Sequence, residues 1–356
     1  MREAGSLSIA APRRVLMIRR RALGDALVTL PAVLSLHEAL PDAELDLVVD
    51  RSLAKLFGSR AGVNVLAWDE RDRLGALAWI GMLRRRHYDL VIDFLSTPQT
   101  ALWTALSGAR WRVGYDLRWR SWAYNVRVPR NRSRDLSLRQ FAGESFLDPL
   151  RALGLSLLPW LPRGRFDFAD SQLGGPYLRW RARLEARARP RLGLVLSATW
   201  PAKSWPLAAA ARLARIILRE GTTVVLLPGP GEESVLAPLL AEVPEIICPP
   251  PTDLCELADL VGRLDVLVAT DSGPRHLAAV MGVPTVTLFG PTDPGGWNPE
   301  HPLHVAVRTG EDCSPCDLPL CPLPDHPCMT RLSAEMVAEA VRQVLSGVRT
   351  VDAADS

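Results

Sequence analysis

"DVLVATDSGPRHLAAVMGVPTVTLFG" occupies residues Asp265–Gly290. It opens on an apolar strand-like run and closes on another. The stretch between them has helical spacing, and Pro274 suits a first helical position. Strand, helix and strand in so few residues make a βαβ unit, which commits both strands to a parallel sheet. Yet Asp271, Ser272 and His276 interrupt what otherwise reads as core. Burying such groups without partners costs on the order of a few kcal/mol each. One reading is a capped core helix with a satisfied histidine. The other is a ligand site. The first N–H groups of the helix make an anion site, Gly273 admits close backbone approach, and His276 adds a donor. On that reading the turn holds a diphosphate.

The same alternation extends outward in both directions. In the first half, strands are expected at Arg14–Arg20, Ala43–Asp50, Asn64–Trp68 and Asp89–Leu95, with helices between them. The helix over Gly24–Leu40 contains Pro31, an expected kink. Proline and glycine break the pattern between about residues 155 and 190, and it restarts at Arg191–Ser197. Strands follow at "TTVVLLPG", "EIICP", "DVLVATD" and "TVTLFG", and "SAEMVAEAVRQVLSG" forms a last helix. The chain therefore reads as α/β, with two doubly wound domains facing each other. We expect an N-terminal domain over 1–165, a linker over 166–190, a second domain over 191–332, and a C-terminal helix and tail over 333–356, with a hinge near residues 155–175.

Composition agrees with a globular chain: 356 residues, 48% hydrophobic and 23% charged. The net charge of +3 is too mild to imply nucleic acid. No signal sequence and no membrane span are evident, so a cytoplasmic protein is expected. Only two basic residues are lysines, Lys55 and Lys203, in a chain otherwise saturated with arginine. Lysine and arginine are not equivalent at a tight phosphate site, so each lysine is singled out.

In doubly wound sheets, ligands sit beyond the C-terminal ends of the strands. Five loops there carry polar residues. After the first strand, Asp25 is either a first-turn acid that suits the helix dipole or a carboxylate facing the inter-domain cleft, able to take a proton. "SATWPAKSWP" offers the hydroxyls of Ser197 and Thr199 and the point charge of Lys203. "PGPGEES" lacks a strict G-x-G-x-x-G, and its Glu232 is either a ribose acceptor or a helix-start acid. Asp271, Ser272, Gly273 and His276 form the fourth group, and Thr292 and Asp293 lie in the fifth.

Two further features stand apart. Residues 110–139 hold nine arginines against Asp116 and Asp135, with five aromatics interleaved. A solvated basic face and nucleic-acid binding are both open readings. The preferred reading is a peripheral contact with anionic headgroups and a phosphorylated acceptor, made by Arg110, Trp111, Arg112, Arg118, Trp119 and Arg120. "CSPCDLPLCPLPDHPC" spaces Cys313, Cys316, Cys321 and Cys328 as C-x2-C-x4-C-x6-C, with His326 beside them. Reduced thiols, disulfides and a structural metal all remain open.

Taken in order, "RRALGDALVTLPAVLSLHEALPDAELDLVV", "TWPAKSWP", "DSGPRHLAAVMGVPTVTLFGPTDP" and "CSPCDLPLCPLPDHPCM" resemble the bacterial heptosyltransferases of glycosyltransferase family 9. The resemblance implies a GT-B fold of two Rossmann-like domains with a deep cleft. It implies inverting transfer of heptose from ADP-heptose onto the lipopolysaccharide inner core. Residue by residue, it implies Asp25 as general base and Thr199, Lys203 and the Asp271–Ser272–Gly273 turn as donor site, with His276 beside them and Glu232 near the ribose. The partners expected are a nucleotide sugar, a lipid-linked saccharide and the inner-membrane surface, without nucleic acid. No cofactor and no catalytic metal are expected, because no DxD-like pair stands at a suitable loop. "DSGPRHLAA" departs from the better-known members between the glycine and the histidine, and its Ser272 is often threonine. The alternatives are another nucleotide sugar or acceptor, or a nucleotide-binding protein without turnover, which would need no base at position 25.

Overall fold

The computed structural model describes residues 12–58, 62–69, 71, 75–130, 140–155, 157, 160, 166–196 and 198–352. The chain divides into two compact units, Met1–Arg163 and Gly164–Ser356.

The first unit holds a six-stranded sheet: β1 (Arg14–Ile18), β2 (Glu44–Asp50), β3 (Asn64–Trp68), β4 (Leu90–Asp93), β5 (Trp111–Tyr115) and β6 (Val126–Val128). Their order is β3-β2-β1-β4-β5-β6, and every pairing is parallel. This is the order of dinucleotide-binding folds, with its topological switch between β1 and β4. A helix over Leu23–Ala39 follows β1 and runs through Pro31. The strands β5 and β6 are hidden in the sequence. Arginines and tryptophans mask them, and their alternation is too short to show as a period.

The second unit holds β7 (Arg191–Val195), β8 (Thr223–Leu226), β9 (Val266–Thr270), β10 (Thr285–Leu288) and β11 (His304–Val307), in the order β11-β10-β9-β7-β8. All pairings are again parallel, and the switch lies between β7 and β9. Residues of β7, β9 and β10 are buried throughout, as expected of strands covered on both faces. The expected strand "EIICP" is reduced to one bridge, Val225 to Ile247. Pro249, Pro250 and Pro251 follow Cys248 and supply no N–H groups to a ladder.

Two stretches expected outside the domains belong to this unit. Residues 166–190 carry a helix over Gly175–Glu185. The Tyr177 hydroxyl donates to Asp259 at 2.7 Å, and the Gly174 N–H donates to Glu256 at 2.9 Å. The helix over Ala334–Asp352 buries Val337, Ala338, Val341 and Val344 in the same core as β7 and β9. The Trp205 indole donates to the Leu332 carbonyl at 3.0 Å, just before that helix.

Gly193, at the centre of β7, is required by a close approach. A Cβ there would overlap Leu264 and Leu267 and press on Leu227. Gly193→Ala should therefore destabilise the second unit by about 1–3 kcal/mol through overpacking. Urea unfolding followed by tryptophan fluorescence would measure the loss.

Candidate functional site

Both switch points carry charge. In the second unit the site is built around Asp271, the residue after β9. It is buried, and both its carboxylate oxygens are engaged. The Lys203 ammonium lies 2.8 Å from Oδ2 and also donates to the Asp271 carbonyl at 3.2 Å. Arg275, one helical turn on, lies 2.8 Å from Oδ1. The Thr292 hydroxyl donates to Oδ2 at 2.9 Å. Arg275 is wholly buried and also donates to the Trp297 carbonyl at 2.9 Å. It lies 3.2 Å from Nε2 of His276, so that nitrogen accepts and the ring proton sits on Nδ1.

The electrostatics follow from this packing. Burial alone would raise the Asp271 pKa. Arg275 and then Lys203 outweigh it and hold the carboxyl well below the usual range. Burial, reinforced by Arg275, lowers His276 well below an ordinary histidine, so its imidazole is neutral. Two cations against one carboxylate leave the cluster with a net positive charge. It stands at the start of the helix Gly273–Val280, whose Ser272 cap makes no side-chain bond to the first N–H groups. The Ser272 hydroxyl instead donates to the Thr270 carbonyl at 3.1 Å. Positive charge, a neutral imidazole donor and helix N–H groups together suit an oxyanion such as a phosphoryl group.

In the first unit, Asp25 lies in the first turn of the helix after β1, and its carboxylate is 25% exposed. Arg19, at the end of β1, holds it at 2.9 Å. Arg19 is buried, donates to the Phe94 carbonyl at 3.0 Å and lies 5.0 Å over the Phe146 ring. Its neighbour Arg20 pairs with Asp50 at 3.0 Å between Trp68 and Trp103. The Asp25 Oδ2 is thus paired with a buried cation.

The model of glycosyltransferase family 9 (heptosyltransferase) matches residues 77–325. The chain belongs to this family. It is 27% identical to lipopolysaccharide heptosyltransferase 1 of Pseudomonas aeruginosa, over 95% of this chain and 99% of that one. The E. coli ADP-heptose heptosyltransferase II structure superposes with a TM-score of 0.73 at 20% identity, covering 94% of this chain and 99% of that one. The E. coli heptosyltransferase WaaC, solved with ADP-2-deoxy-2-fluoro heptose, gives 0.68 at 23% identity, over 93% and 99%. The fold is GT-B like those structures.

In this heptosyltransferase-family chain, the structure joins Lys203, Asp271 and His276 with Thr292 in one network. Thr199 lies exposed in the bend after β7. Ser197 lies outside the described residues. The Glu232 carboxylate accepts the Gly229 N–H at 2.7 Å and so closes its loop at the start of the helix Glu233–Glu242. Asp293 caps the short helix Pro294–Trp297 through the Gly295 N–H at 3.2 Å. Arg19 and Arg275 were missed by sequence reasoning. The Asp271–Arg275 spacing of four was the available signal.

The cysteine-rich segment braces this site. The Ala202 N–H donates to the Pro319 carbonyl at 3.1 Å, and the Ala202 carbonyl faces His326 Nε2 at 2.9 Å, one residue before Lys203. The Cys316 N–H and Asp317 N–H both donate to the Pro291 carbonyl, one residue before Thr292. Cys313, Cys316, Cys321, Cys328, His326 and Ala202 help line a cavity of about 140 Å³. None of the four cysteines is joined in a disulfide, and burial beside the other three pushes Cys328 up to about 11. Among the described residues, no group of three or more His, Cys, Asp or Glu is placed to hold a metal ion.

Acid should weaken this unit. Burial lowers His304 to about 3, and Nδ1 is engaged with the Thr285 hydroxyl at 3.0 Å. His304 and His276 thus stay neutral in the folded chain. Below about pH 6.5 the unfolded chain protonates both, so stability is lost as pH falls, with His304 contributing about 2 kcal/mol of that loss at about pH 5. Urea unfolding across this range should show a shallower pH slope for His304→Asn than for wild type. An equal slope would contradict a neutral, buried His304.

Proposed function

We propose that this family 9 chain transfers heptose from ADP-heptose onto the saccharide of a lipid-linked lipopolysaccharide inner core, with inversion and without a catalytic metal. The observation that carries the reading is the Asp271-centred cluster at the β7/β9 switch, with its net positive charge and uncapped helix start. The ADP-sugar in the WaaC structure supports the choice of donor.

In this reading Lys203, His276 and the Gly273 N–H at the helix start take the diphosphate. Thr199, Ser197 and Glu232 complete the donor site. These preorganised donors stabilise the charge that develops on the leaving ADP. An acceptor hydroxyl attacks the anomeric carbon from the face opposite the leaving group. Its oxygen forms the new glycosidic bond as the bond to ADP breaks, and Asp25 takes its proton. Arg19 pairs with that carboxylate and orients it for the task. Asp271 does not touch the donor here. It keeps Lys203 in place.

The test is release of nucleoside diphosphate from a panel of nucleotide sugars with a core-saccharide acceptor. ADP-heptose should be turned over, and chelator should leave the rate unchanged. Asp25→Asn should lower kcat by roughly 10²–10⁴-fold with ADP affinity kept. Lys203→Ala should instead weaken ADP binding, read by calorimetry. Turnover by Asp25→Asn within about tenfold of wild type would remove the base from the scheme.

A further inference from the structure

We propose that the β5–β6 connection is a docking surface for an anionic lipid bilayer. The inference stands on the first unit alone and needs neither the donor site nor turnover.

Residues 116–125 link β5 to β6, and two tryptophans stand out from them. Trp119 is 81% exposed and Trp122 is 60% exposed. Trp119 also has φ +70°. A bulky side chain in the left-handed region is a genuine outlier, and such strain marks positions with a function beyond packing. Here the strained backbone sets a large indole into water, where it gains nothing from burial. The Trp122 indole N–H donates to the Trp119 carbonyl at 3.2 Å, so one turn holds both rings.

The surroundings are apolar and cationic together. The turn Ser121–Ala123 packs on the helix Pro98–Leu106 through Ala101, Ala105, Ala123 and Tyr124. That helix exposes Leu102 and Leu106, one turn apart. The Arg118 guanidinium lies 5.1 Å over the Trp119 ring, and Arg110 lies 5.5 Å over Trp111. Arg110, Arg118 and Arg127 are exposed, against Asp116 as the exposed acid of the connection. Other arginines of the segment are committed elsewhere. Arg112 donates to the Ala109 and Ala123 carbonyls, and Arg120 to the Ser96 carbonyl. These two shape the turn and leave the outward arginines to meet phosphates.

Exposed indoles, exposed leucines on the helix that the turn packs against, and exposed guanidinium groups in the same segment match the boundary between acyl chains and anionic headgroups. Among the described residues, no helix is long and apolar enough to cross a membrane. Attachment by this patch is therefore peripheral.

The experiment is co-sedimentation of the full chain with vesicles of phosphatidylcholine alone or mixed with phosphatidylglycerol. Tryptophan fluorescence is recorded in parallel. Binding should require the anionic lipid, weaken with salt and shift the emission to the blue. Trp119→Ser with Trp122→Ser should lower the vesicle affinity by about tenfold or more. Arg110→Gln with Arg118→Gln should remove most of the preference for anionic lipid. Circular dichroism and thermal unfolding report whether each variant stays folded. No binding to anionic vesicles at low salt overturns the proposal. So does binding that both double variants retain, or capture of single-stranded oligonucleotide in place of vesicles.

Discussion

A buried guanidinium cannot stand without a counterion, and this constraint organises the second unit. Arg275 is wholly enclosed, and Asp271 is the carboxylate that compensates it. Removing one partner of such a pair leaves a buried charge unpaired, at a cost of about 3–5 kcal/mol. Because Asp271 must be there, ionised and immobile, its second oxygen is available to fix Lys203 and Thr292. Three loops from three strands, β7, β9 and β10, are thereby tied to one carboxylate. The cluster keeps a surplus positive charge beside an uncapped helix start.

The first unit solves the same problem at its own switch point. Arg19 and Arg20 follow β1 as buried cations, and each is given a carboxylate, Asp25 from the first turn of the next helix and Asp50 from the end of β2. Aromatic rings cover the guanidinium faces. Asp25 is consequently both an acid at a helix start and the partner of a rigid cation. Those two descriptions are not alternatives, because the ion pair is what orients the carboxylate.

The cysteine-rich segment is tied by backbone bonds to the loops that carry Lys203 and Thr292, on two sides of Asp271. Its conformation and the geometry of the anion site are therefore coupled through Ala202 and Pro291.

What the sequence determined by itself is the layout. Apolar runs alternating with helical periods specify two parallel sheets, and the rule that ligands lie beyond strand ends selected Asp25, Lys203, Asp271 and His276. These features are local, and they survive translation into structure because a buried strand and a helix start each have a short-range signature. Tertiary structure alone decided the rest. β5 and β6 are strands because they add to the edge of an existing sheet, a partner no local pattern reveals. Residues 166–190 are no linker because Tyr177 finds Asp259, far away in the chain. Arg19 and Arg275 became central because folding buried them against particular carboxylates. A charge in sequence reads as surface until the fold encloses it, since burial and pairing are properties of the packed chain.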